Sequence, residues 1–110
     1  MTDPTIQSTI DHLLDCHRVC ERQIRTSLDL GGAHADHRHI AALTDLAELT
    51  RVTADLLDRE SPWAQWSCEL AADACADIAG QCEELQETEC ARTCRATARA
   101  CTTIGSLVPH

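Results

Sequence analysis

The apolar positions fall into four segments, each repeating at three or four residues, the spacing of one face of an α-helix. In the first, Ile6, Ile10, Leu13, His17, Cys20, Ile24 and Leu28 recur on that period, with Cys16 one turn from Cys20 at the edge of the stripe. Asp3-Pro4 predicts an N-cap followed by proline at the first helical position, and Gly31-Gly32 predicts the stop. A histidine-bearing connector, AHADHRH from Ala33 to His39, comes next, with Asp36 placed to cap the second helix. That helix carries Leu43, Leu46, Leu49, Thr50, Thr53, Leu56 and Leu57. Ser61-Pro62 closes it and opens a third by the same logic of cap plus proline, which puts Trp63 and Trp66 in the first turn. The third helix is expected to run to about Gln86, and Thr88 to cap a fourth that ends at Gly105, leaving SLVPH as a frayed tail. Four such segments with short links predict an all-α fold, an antiparallel up-down-up-down four-helix bundle forming one domain over residues 1–110.

Sulfur changes this picture most. From Cys68 to Cys101 the chain reads C-x6-C-x6-C-x7-C-x3-C-x6-C, six of its eight cysteines. Cys68, Cys75 and Cys82 stand at a strict heptad with Ala71, Ile78 and Leu85 between them, so they form one inward stripe with sulfur about every 10 Å. Cys90, Cys94 and Cys101 form a second, with Thr97 and Ile104 on the same face. In an antiparallel bundle Cys82 faces Cys90 near the turn and Cys68 approaches Cys101 at the far end. Helix one adjoins helix four, so Cys16 and Cys20 join the same seam, and the second helix supplies an apolar wall without cysteine. The expected interior is therefore lined by thiols from three helices.

Composition narrows the classes. With no Phe or Tyr and two Trp, the core rests on Leu, Ile, Ala and Cys, which suits close-packed helices. A formal charge of −9 argues against nucleic acid and anionic membrane as partners. No apolar run approaches the length of a membrane span, and Met-Thr-Asp-Pro lacks the basic and apolar regions of a secretory signal. A cytoplasmic, reducing location is thus expected, where eight cysteines serve as ligands rather than disulfides. Small buried hydrophobes would explain one or two of them, not eight at core-facing positions. The knuckles of structural zinc and the C-x2-C runs of bacterial ferredoxins are absent.

These residues resemble the four-helix-bundle copper-binding family, the cysteine-rich copper storage proteins, from about Leu13 to Cys101. The helix-two ending ADLLDRESPW resembles the family's leucine-rich close followed by Ser-Pro. The family's fourth helix usually reads C-x3-C-x2-C-x3-C; here Cys90, Cys94 and Cys101 match, and Thr97 stands where a cysteine is expected. In helix three Cys68, Cys75 and Cys82 match, while Ala71 and Ile78 occupy cysteine positions, and in helix two Leu43, Leu46 and Thr50 do so. The resemblance implies the bundle fold and storage of Cu(I) between densely spaced thiolates, by a chain that has discarded part of its sulfur.

Two readings of the metal follow. Soft thiolates select Cu(I), zinc or iron–sulfur clusters, and four hold one cubane. Eight cysteines make two sets of four, and the i, i+4 pairs Cys16/Cys20 and Cys90/Cys94 span about 6 Å, a separation fit for two corners of one cluster. Height along the bundle groups Cys20, Cys82, Cys90 and Cys94 around one cluster and Cys16, Cys68, Cys75 and Cys101 around another, with the group to which each of Cys16, Cys20 and Cys75 belongs left open by height alone. The reading placed first is therefore ferredoxin-like electron transfer through two 4Fe-4S clusters, with Cu(I) binding and storage as the alternative. A dry wall of Leu, Ile, Ala and Thr, and a sole methionine at Met1, lean the same way. Glu69, Asp73, Asp77, Glu83, Glu84, Glu87 and Glu89 offer an acidic face to a redox partner with a basic docking face, or to a copper donor or acceptor; a solvated face is the plainer account. His34, His37 and His39 read as a solvated connector rather than a metal site at the bundle mouth. His17 is placed beside Cys16 and Cys20, to bond a cluster sulfur or reach a carboxylate. No catalytic triad, phosphate loop or apolar carboxylate pair stands out, so no enzyme is expected.

Overall fold

The computed structural model describes residues 3–104 and contains four long helices: α1 (Pro4–Leu30), α2 (His37–Asp58), α3 (Ala64–Glu84) and α4 (Thr88–Ile104). They form the predicted bundle, 45 by 18 by 18 Å, with α1 against α2 and α4, and α3 against α4 and α2. The expectations for Gly105 and the SLVPH tail lie outside the described residues.

Local chemistry explains most of the boundaries. The Asp3 carboxylate accepts a hydrogen bond from the Thr5 N–H at 2.8 Å, and Pro4 stands at the first helical position, where its missing N–H is no loss. Gly31 ends α1 at φ +73°, a conformation that side chains with a Cβ resist. A 3-10 turn, Gly32–Ala35, then leads to Asp36, whose carboxylate accepts from the Arg38 N–H at 2.9 Å. The connector is thus shorter than expected: His37 and His39 belong to α2.

α2 and α3 close with the same device. Ser61 N–H bonds Leu56 O at 2.9 Å around Glu60 (φ +57°), and Glu87 N–H bonds Cys82 O at 2.8 Å around Gln86 (φ +60°). Each is a Schellman turn, built here without glycine at the left-handed position. Ser61 accepts from the Trp63 N–H, but Pro62 and Trp63 remain in the turn, so α3 starts later than Ser-Pro suggested. Thr88 does not cap α4. It is the first helical residue, and the preceding Glu87 carbonyl accepts the Ala91 N–H at 3.0 Å.

The core has two parts. Cys16, Val19, Cys20, Leu43, Leu46, Ala47, Cys75, Ile78, Ala79, Cys82, Cys90, Ala91 and Cys94 form one apolar cluster, and Ile10, Leu13, Ala54, Leu57, Ala64, Cys68, Ala71, Cys101 and Ile104 form the other. Such small side chains allow close helix approach, which fits a cross-section of 18 Å. Thr50, Thr53 and Thr97 are fully buried, and each satisfies its hydroxyl by donating to the carbonyl four residues back, at 2.7–2.8 Å. Leu28, read as part of the α1 stripe, is exposed, as are both tryptophans.

Candidate metal centre

All eight cysteines are buried and free, and all point inward from α1, α3 and α4. Cys16 lies as deep as Cys20 rather than at the stripe's edge. Its Sγ is 4.0 Å from that of Cys94, and the sulfurs of Cys16, Cys20 and Cys94 all lie within 4.8 Å of one another. Neighbouring thiols extend this triangle both ways. Cys75 adjoins Cys16 across the bundle from α3, while Cys90 adjoins Cys20, Cys94 and, at the turn, Cys82. Six sulfurs thus make one continuous ladder.

Cys68 and Cys101 stand apart, neighbours in the second cluster. Between Cys94 and Cys101 the helix rises about 10.5 Å, and Thr97 fills the gap. The division is six plus two. The expected quartets, Cys20/Cys82/Cys90/Cys94 and Cys16/Cys68/Cys75/Cys101, do not form, because Cys16 and Cys75 lie with the upper six.

Packing thiols together splits their acidities. The thiols of Cys20, Cys75 and Cys94 favour the thiolate of Cys16 and hold it far below the ordinary range against the opposing effect of burial. Cys90 is lowered in the same way by Cys20, Cys82 and Cys94. Their neighbours move the other way. Cys94 is pushed far up by Cys16, Cys20 and Cys90, with burial adding to the rise, and Cys75 and Cys82 are raised by Cys16 and Cys90. Cys68 is lowered beside Cys101.

A second polar group abuts the ladder at the α3–α4 turn. The Schellman turn carries Glu87 inward, leaving its side chain 2% exposed rather than on the acidic face. Oε1 lies 2.7 Å from His39 Nε2, while Oε2 accepts from Ser27 Oγ at 3.0 Å and lies 2.9 Å from His34 Nδ1. His39 Nδ1 is 3.1 Å from Gln81 Oε1. Burial alone would raise the carboxyl, but the bonds from His34, His39 and Ser27 outweigh it and hold Glu87 below the ordinary value. His34 and His39 are therefore not a solvated connector. A signal for His39 was available, since it precedes Leu43 by one turn on the core stripe of α2; nothing in the pattern marked Glu87. His17 bonds no sulfur or carboxylate: its Nδ1 donates to Ala47 O at 2.6 Å.

Fold and site together define a four-helix bundle whose core is a thiol ladder. The profile of the copper storage protein family, Csp, matches residues 2–106, and the chain belongs to that family. It is also similar to a protein from Nitrosospira multiformis of known crystal structure, with 30% identity over 96% of this chain and 99% of that one and a TM-score of 0.91. No curated protein sequence is significantly similar.

Family membership overturns the iron–sulfur reading. The two 4Fe-4S clusters, the ferredoxin-like function and electron transfer with a redox partner are set aside in favour of the alternative. The physical reason lies in the sulfur spacing: a cubane needs four thiolates around a bulky inorganic core, whereas Cys16, Cys20 and Cys94 converge within 4.8 Å of one another and six cysteines share one packed cluster. Among the described residues, no helix is long and apolar enough to cross a membrane.

Proposed function

We propose that the chain binds and stores Cu(I) through its core cysteines, without catalysing a reaction of its own. The observation that carries this reading is the Cys16–Cys20–Cys94 triangle. A copper–thiolate bond is about as long as a zinc–sulfur bond, about 2.3 Å, so three sulfurs around one ion stand about 4 Å apart. Here Cys16 and Cys94 stand at 4.0 Å and all three sulfurs lie within 4.8 Å of one another before any metal arrives. Soft thiolates select Cu(I) over harder cations, and the leucine, alanine and threonine of α2 keep the ladder dry.

All eight cysteines serve as ligands in this reading. Uptake begins at the Cys16–Cys20–Cys94 triangle, where three sulfurs already converge. Each bound ion then replaces protons on the neighbouring thiols, so loading releases protons and tightens as pH rises. Sharing of sulfurs along the ladder lets successive ions bind without large movement of the helices. Cys68 and Cys101 hold a separate, smaller share. Free thiols and Cu(I) both call for a reducing compartment, in keeping with a cytoplasmic protein. The partners are proteins or small thiols that deliver and withdraw Cu(I).

The test is an anaerobic titration of the reduced chain with Cu(I) against a strong chelator, beside reconstitution with iron and sulfide. Several Cu(I) per chain, and no retained iron or sulfide, is the expected result. Failure to compete for Cu(I) refutes the reading.

A further inference from the structure

We propose that His39, Cys82 and Glu87 form a site for one divalent cation of borderline softness, Zn2+, which shares only Cys82 with the Cu(I) ladder. His39 Nε2, Cys82 Sγ and a Glu87 carboxylate oxygen lie within 4.8 Å of one another, and all three residues are buried. Around a tetrahedral Zn2+, bonds of about 2.0–2.3 Å set such donors about 3.3–3.7 Å apart. The ion has to part the imidazole and carboxylate from their 2.7 Å contact by about half an ångström, and to draw the sulfur in by at most about 1 Å. Side-chain rotation supplies both movements.

Charge selects the cation. One thiolate and one carboxylate carry two negative charges, and a neutral imidazole adds none. A divalent ion makes the buried group neutral, whereas a monovalent ion leaves a net negative charge in a place with little water to solvate it. Nitrogen and oxygen donors also suit zinc better than they suit Cu(I).

The surroundings are those of a metal site rather than of a lone hydrogen bond. A ligating histidine needs its second ring nitrogen held, so that the first presents a lone pair. Gln81 Oε1, 3.1 Å from His39 Nδ1, can keep the proton on that nitrogen, so that a cation displaces only the Nε2 proton that otherwise bonds Glu87. Ser27 and His34 hold Glu87 Oε2 and leave Oε1 for the ion, and Gln23 in turn donates to Ser27 at 2.9 Å. A surface pocket of about 330 Å³, bordered by Asp36, Arg38, Gln81 and Glu84, reaches His39 and can supply a water as fourth ligand. Cys82 is the one sulfur shared with the ladder, through Cys90.

The experiment is zinc X-ray absorption on the reduced, full-length chain loaded with one equivalent of Zn2+, with affinity measured against a chelator. One sulfur at about 2.3 Å and three nitrogen or oxygen donors at about 2.0–2.2 Å are expected. His39→Gln should weaken Zn2+ binding by at least about 10–100-fold, judged from the loss that even outlying partners of metal ligands cause, and leave Cu(I) capacity unchanged. A shell of three or four sulfurs places zinc in the ladder and overturns the proposal, as does an unchanged affinity in His39→Gln. No binding by the native chain means that Glu87 is the centre of a structural hydrogen-bond cluster only. Cu(I) capacity is read in a separate titration, so the storage reading and this one fail separately.

Discussion

Thr97→Cys tests whether the sulfur ladder stores metal as a continuous path. Thr97 is fully buried on the sulfur-bearing face of α4, about 4.5 Å of helical rise from Cys94 and about 6 Å from Cys101. Its hydroxyl donates to Thr93 O at 2.8 Å and lies 3.2 Å from His12 O. Exchanging it for a thiol loses a hydrogen bond worth about 0.5–1.5 kcal/mol. It also removes a methyl group worth up to about 0.8 kcal/mol, partly offset by the larger sulfur. The metal-free variant should therefore be less stable by about 1–2 kcal/mol, a fall in Tm of about 4–10 °C. The new sulfur bridges the six-thiol ladder to the Cys68–Cys101 pair. Cu(I) capacity, read by anaerobic competition with a chelator, should rise by about one ion per chain, with the two sets of sites filling as one. Adding Ala71→Cys and Ile78→Cys should raise it further. Unchanged capacity with helical circular dichroism intact would refute both the ladder and the alignment with family cysteine positions.

Three further outcomes follow from the same geometry. Cys68→Ala should abolish binding at the isolated pair and leave filling of the six-thiol ladder unchanged, seen as loss of one component of the Cu(I) titration. Glu87→Gln should destabilise the chain by about 1–3 kcal/mol at pH 7, since a buried acceptor serving three donors is lost. Because the folded-state carboxyl lies below its ordinary value of 4.5, its contribution is present above that pH and vanishes as pH falls through the folded value. Denaturant unfolding of the two proteins should therefore converge in acid. Gln86→Gly relieves a left-handed side-chain residue at the end of α3 and should raise Tm by about 4 °C, within the range for a gain of about 0.5–1 kcal/mol.

The bundle was legible because each helix announces itself twice, by its period and by its punctuation. Asp3-Pro4, Gly31 and Asp36 act in the structure as their chemistry predicts. Inward placement of the cysteines followed from the same period. Their grouping did not, since height along one helix says nothing of how far a neighbouring helix slides. A shift of one turn moves Cys16 and Cys75 from one quartet to the other group. An equal count, eight thiols for two clusters, was mistaken for a spatial partition. Glu87 was illegible for another reason: it belongs to an acidic run, and what turns it inward is a backbone bond from its N–H to Cys82 O, formed around Gln86 in a conformation that sequence pattern does not mark. The histidines that meet it come from the 3-10 turn after α1 and the start of α2, so their meeting is a tertiary event.

The absence of Phe and Tyr, with Trp63 and Trp66 both exposed beside the Cys68 end, has an optical consequence. Neither indole lies in the packed core, so the metal-free chain should give only weak near-ultraviolet circular dichroism, even though its core is fully packed. By that signal it would be mistaken for a molten globule. Thiolate-to-metal charge transfer then becomes the chromophore of the interior. Dichroism appearing on loading would report metal in the ladder, while tryptophan emission, seated outside the core, would follow events at one end of the bundle.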